Sequence, residues 1–117
     1  MKTSLITSLI LASSILLTQG ICNETESIDP GAIWTKNCKK CHDSDGSGTT
    51  KIGKKFGVRN YTDPAVQASF TDEEIVQVTK EGILDEHGKK KMPPYADKLS
   101  DAEIQALIPL IRAFAGE

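Results

Sequence analysis

Two cysteines and a histidine stand within five residues, in "CKKCH" at Cys38, Cys41 and His42, although the chain has only three cysteines and two histidines. Three chemistries use such residues. A structural zinc site takes four Cys or His ligands in spaced pairs, and only His87 and Cys22 remain to complete it, so the quartet is not there. A thioredoxin-like dithiol opens a helix in an αβ context, where a thiol pKa falls; this pair ends a helical stretch, and no strand precedes it. Covalent haem attachment has Cys-x-x-Cys-His as its signature. Helix positions i, i+3 and i+4 share one face. Cys38 and Cys41 can therefore form thioethers with the two haem vinyl groups while His42 reaches the iron from the same side. One covalently bound haem c is expected.

A haem iron has a second axial side. Apart from Met1 the chain has one methionine, Met92, in "KKKMPPY". Pro93 confines Met92 to extended backbone, and the two prolines stiffen the segment that presents its thioether. His87 is the rival ligand, but it lies in "DEHGKK", a charged stretch that reads as solvated. An iron left open on that side is the remaining alternative. "DSDGSG", from Asp43 to Gly48, imitates the opening of a calcium loop, yet the twelfth place, which needs a bidentate Glu, holds Lys54. That stretch reads as a turn.

Three helices are expected to position these groups. The first begins at "DPGAIWTKNCKKCH", with Asp29 as N-cap and Pro30 in the first turn. The second, "TDEEIVQVTKEG", pairs Thr71 with Glu74 in a capping box and stops at Gly82. The last, "SDAEIQALIPLIRAFAGE", pairs Ser100 with Glu103 and carries an apolar stripe at Ile104, Leu107, Ile108, Ile111 and Phe114. The stretches from Asp43 to Pro64 and from Ile83 to Lys98 read as long loops, and no strand is expected. A structureless loop of this length is suspect unless it wraps something.

Residues 1–20, "MKTSLITSLILASSILLTQG", have the layout of a cleaved secretory signal peptide, with Thr18 and Gly20 before the cleavage point. Residues 21–28 read as a polar tether and 29–117 as one domain. Cys22 suggests a lipid anchor, but Ile21 stands where a small residue is expected, so a boundary residue or stray thiol is the plainer reading. The run is short and hydroxyl-rich for a membrane span of ~20 apolar residues, and no span is expected in the mature chain. The formal net charge of −2 gives no sign of nucleic-acid binding. So small a domain buries only ~60–65% of its unfolded surface and often needs a staple; a large apolar cofactor would serve.

Trp34 four residues before Cys38, "CKKCH", the "KMPPY" loop and the closing "LSDAEIQALIPLIRAF" together make the chain resemble class I cytochromes c, of the small exported bacterial monohaem type. The resemblance covers roughly Gly31 to Phe114. It implies an all-α cytochrome c fold, with three main helices and long loops wrapped around one covalent haem, the terminal helices crossing and the Met92 loop closing over its far face. Three places depart from the family. Pro30 stands where a glycine usually lets the terminal helices touch, with Gly31 one step late. Leu110 replaces a common aromatic, for which Trp34 is expected to compensate. Pro109 stands inside the last helix, where it costs the bond to Gln105 and is expected to kink the helix. The family's proline carbonyl behind the ligating histidine is also missing, and a backbone carbonyl in "KIGKKFG" is expected instead. Arg59 and Tyr61, in "GVRNY", are candidate propionate contacts, or a surface charge and a core residue.

One-electron transfer is the function these features imply, by a monomer working between periplasmic or membrane redox enzymes and not by an enzyme. Lys89, Lys90 and Lys91 could steer an acidic redox partner into transient contact, joined by Lys39, Lys40, Lys54 and Lys55. The alternatives are a haem enzyme or gas-binding protein with an open distal side, for which His87 is the only acid–base candidate, and a cytochrome subunit of a larger oxidoreductase.

Overall fold

The computed structural model describes residues 26–116; the expected signal peptide and cleavage point, and Cys22, lie outside them. The three expected helices form where their caps place them. Helix α1 (Pro30–Asn37) starts where the Asp29 carboxylate accepts the Ala32 N–H at 3.0 Å. Helix α2 (Lys39–His42) follows after Cys38, a single turn. Two further helices lie in the first long connection. Helix α3 (Lys51–Phe56) is capped by Thr50 and ended by Gly57 at φ +64°; α4 (Pro64–Gln67) is capped by Asp63. Helix α5 (Asp72–Glu81) and α6 (Asp101–Ala113) both open on complete capping boxes.

Two expectations need correction. The stretch after His42 is not simply loop, because Thr50 and Gly57 bracket a short helix that "KIGKKF", with its internal glycine, advertises weakly. The second connection contains strands: β1 (Ile83–Leu84) pairs antiparallel with β2 (Lys90–Met92), Ile83 opposite Met92. Asp85 shapes the turn between them, its carboxylate accepting the His87 and Lys89 N–H groups at 2.8 Å each. The strands are too short for a period-2 pattern to show.

Helix α6 packs on both α1 and α5. Its stripe turns inward as expected. Ile104, Leu107 and Ile111 are buried, with Ile108 and Phe114 packed at the margin. Full burial of a side chain such as Ile104 or Leu107 contributes ~1.5–3 kcal/mol. The terminal helices meet without a glycine. Gly31 is exposed, and a Cβ there would approach only the Asp29 carboxylate, while Trp34 supplies the buried face of α1. Trp34 packs on Phe114 with ring centroids 4.9 Å apart. Pro109 does not end α6, which continues through it to Ala113. Both Pro109 and Gln105 face solvent, where water can take the freed carbonyl.

Candidate functional site

The site begins where α1 stops. Cys38 leaves helical geometry slightly (φ −115°, ψ −37°), and its carbonyl accepts the N–H groups of Cys41 and His42 at 3.1 and 3.0 Å. That one turn sets Cys38, Cys41 and His42 along a common face. Asp43 then takes φ +68°, unusual for a residue other than glycine, and ends the turn. The surroundings hold it there. Its carbonyl accepts the Trp34 indole N–H at 2.8 Å, and its carboxylate accepts the Ser44 N–H at 2.7 Å and the Thr49 hydroxyl at 2.8 Å. These bonds, the Ser44 N–H first, keep the exposed Asp43 carboxyl below its usual pKa. The chain then returns close against the site. Gly53 lies on the Cys41 and Gly48 carbonyls, leaving no room there for a side chain.

A cavity of about 370 Å³ opens beside this turn, and its wall contains Cys38, Cys41, His42, Arg59, Tyr61 and Met92 together. Every expected site residue is therefore in one place. The buried apolar core of the molecule is Trp34, Ile75, Tyr95, Leu99, Ile104, Leu107 and Ile111. All of these except Ile104 also line the cavity. The core is thus a shell around a space. His87 is elsewhere, exposed in the β1–β2 turn and 3.4 Å from the Glu86 carboxylate.

Burial holds the His42 pKa down at about 4, so its imidazole is neutral near pH 7, the form that binds a metal. Its Nδ1 is buried with no hydrogen-bond partner. No carbonyl from "KIGKKFG" bonds to it, and Tyr61 covers the imidazole instead. The two rings stack with centroids 5.4 Å apart and planes 11° from parallel. The Cys38 thiol is pushed up to about 11, by burial first and by neighbouring Cys41 second. A thiol so protonated is a poor redox nucleophile. Among the described residues no group of three or more Cys, His, Asp or Glu side chains could hold a metal ion, and "DSDGSG" forms a turn.

Two thiols and a neutral imidazole on one face, opening into a mostly apolar space inside the core, are the donor set that covalent haem requires. Arg59 is exposed at the cavity wall, with its guanidinium 5.6 Å from the Phe70 ring centre. Burial raises the Tyr61 phenol pKa, opposed by Arg59.

Three residues of the site were not legible in the sequence. The Tyr95 hydroxyl donates to the Asn37 carbonyl at 2.8 Å. The Gln67 amide donates to the carbonyls of Tyr61 and Ile111 at 2.8 and 2.7 Å, joining the cavity wall to α6. The Arg112 guanidinium donates to the Gln67 and Phe70 carbonyls, pairs with Asp72 at 2.8 Å and covers the Phe70 ring. All their partners but one, the Tyr61 carbonyl six residues from Gln67, lie tens of residues away, and no local pattern signals them.

The family model described as cytochrome C oxidase, cbb3-type, subunit III matches residues 28–111. Among solved structures, one described as KustC0563 c-type cytochrome is 34% identical, covering 74% of this chain and 98% of its own, with a TM-score of 0.64. A tyrosine-to-phenylalanine variant of that protein matches with the same identity and TM-score over 99% of its own length. No curated protein matches the chain.

Proposed function

This chain belongs to the cytochrome c family described as cbb3-type oxidase subunit III and carries a covalently bound haem c; from that premise we propose that it is a one-electron carrier with His42 and Met92 as its axial ligands. The observation that carries this reading is the single cavity whose wall holds Cys38, Cys41, His42 and Met92.

Cys38 and Cys41 would supply the thioether links, and α1, α5 and α6 would enclose the group they hold. His42 would hold the iron through Nε2, because its Nδ1 is enclosed by protein. Tyr61 stacks on the imidazole and restricts its rotation. Met92 arrives from β2 ahead of two prolines and offers a soft thioether, which favours the reduced metal and raises its potential. Haem, when bound, supplies a one-electron ferric–ferrous couple. With His42 and Met92 both holding the iron, no position would be left for a substrate to bind it. His87, the acid–base candidate that the sequence offers for chemistry on a substrate, stands outside the cavity. Arg59 and Tyr61, both on the cavity wall, would contact the propionates.

Lys89, Lys90 and Lys91 are exposed on the hairpin, and Lys91 also reaches the cavity wall. They would steer an acidic redox partner to this edge in a brief, salt-sensitive encounter. No described helix is long and apolar enough to cross a membrane, and we place the mature protein in the periplasm as a monomer. The family description favours a second reading, a cytochrome subunit of a larger oxidase. Co-purification with oxidase subunits from native membranes would support that reading.

A potentiometric titration tests the carrier reading. The expected result is one reversible one-electron wave, with negligible peroxide turnover. Substantial peroxidase activity in the untreated protein would place it among haem enzymes.

A further inference from the structure

Met92 sits on a short segment with few fastenings. Its strand contributes only three residues, and Pro93 and Pro94 have no N–H to donate. On one flank, Gly82 ends α5 at φ +74°, and its Cα rests so near the Met92 carbonyl and the Pro93–Pro94 backbone that a side chain would overlap them. On the other flank is Tyr95. Its N–H bonds to the Thr79 carbonyl at 2.9 Å, which fixes its backbone to α5. Its hydroxyl crosses to the Asn37 carbonyl at 2.8 Å. Asn37 immediately precedes Cys38. Among the described residues, no other hydrogen bond joins the Met92–Tyr95 segment to the segment carrying Cys38, Cys41 and His42.

We propose that Tyr95 is a positioning residue whose hydroxyl, clasped to Asn37, sets how readily Met92 leaves the iron; the proposal rests on His42 and Met92 being the axial pair. The Tyr95 ring, 8% exposed, packs in the core and would do so equally as phenylalanine. The hydroxyl has a different task. It links the two ligand-bearing parts of the cavity wall, so its loss lets the Met92 segment open without unfolding the helices. Local opening of this kind is governed by the few bonds that close it. A ligand that captures the open form gains apparent affinity in proportion to the open population.

Imidazole added to the ferric holoprotein is the probe, because it competes for the position Met92 vacates. Binding is read from the loss of the long-wavelength ferric band that a methionine ligand gives. Tyr95→Phe is expected to tighten apparent imidazole binding by ~2- to 10-fold, the size of one neutral hydrogen bond. Ile104→Val serves as control, because Ile104 is fully buried but does not line the cavity. It loosens the fold from a position outside the cavity wall, and imidazole binding should stay at the wild-type value. Wild-type affinity in Tyr95→Phe would overturn the proposal, as would an equal rise in both variants, since opening would then follow global stability. A wild-type protein that lacks the long-wavelength band and binds imidazole as tightly as Met92→Ala would overturn the axial pairing itself.

Discussion

A Cys38→Ala, Cys41→Ala chain produced without haem will lack a cooperative unfolding transition near the holoprotein's midpoint. The reason lies in where the core is. Trp34, Ile75, Tyr95, Leu99, Leu107 and Ile111 are buried, and each also faces the cavity. In the holoprotein these side chains pack on the cofactor; without it they border an opening of about 370 Å³. Full burial of such a side chain contributes ~1.5–3 kcal/mol. Even partial wetting of the set would cancel the ~5–15 kcal/mol by which a domain is stable. The substitutions themselves cost little, because Cys38 and Cys41 are only partly buried. Circular dichroism during heating gives the test. The expected trace is a broad, sloping change with reduced helix signal at the start. A sharp transition within a few degrees of the holoprotein's midpoint would show that α1, α5 and α6 hold together on their own.

The second large effect is expected from Met92→Ala. Met92 is half-buried at the end of β2, so the stability loss should be small beside the electronic one. Replacing a thioether with a water-accessible vacancy removes the ligand that favours the reduced metal. Axial ligation spans ~0.8 V across haem proteins, and the variant's potential should drop by more than roughly a tenth of that range. The reduced variant should also bind carbon monoxide. His87→Ala, by contrast, should leave the potential unchanged, since His87 is exposed beside Glu86 and lines no part of the cavity. An unchanged potential in Met92→Ala, with a fall in His87→Ala, would exchange the ligand assignments and require the β1–β2 hairpin to refold.

The features legible in the sequence were those encoded locally. "CKKCH" fits on one helical turn, so its spacing alone announces a common face. The pairs Thr71–Glu74 and Ser100–Glu103 form their capping boxes within four residues, and the α6 stripe repeats with the helix. The features missed depend on distance. The glycine that the family usually has at the crossing of α1 and α6 is absent here, and Trp34 meets Phe114 from residues eighty apart in the chain. Tyr95 was visible in "MPPY", but its acceptor at Asn37 was not. The acceptor expected for the His42 ring was sought as a backbone carbonyl; the structure offers the face of Tyr61 and leaves Nδ1 unpaired. Helix α3 was overlooked although Thr50 and Gly57 are ordinary cap residues, because a glycine sits inside it.

The visible spectrum of the full chain, matured in a host that attaches haem, tests the central claim most directly. It should be recorded oxidised, reduced, and reduced under carbon monoxide. The account predicts low-spin spectra in both oxidation states, a long-wavelength ferric band, and no shift with carbon monoxide. A high-spin ferric spectrum, with a reduced form that shifts when carbon monoxide is added, would contradict it and show an iron open to ligands.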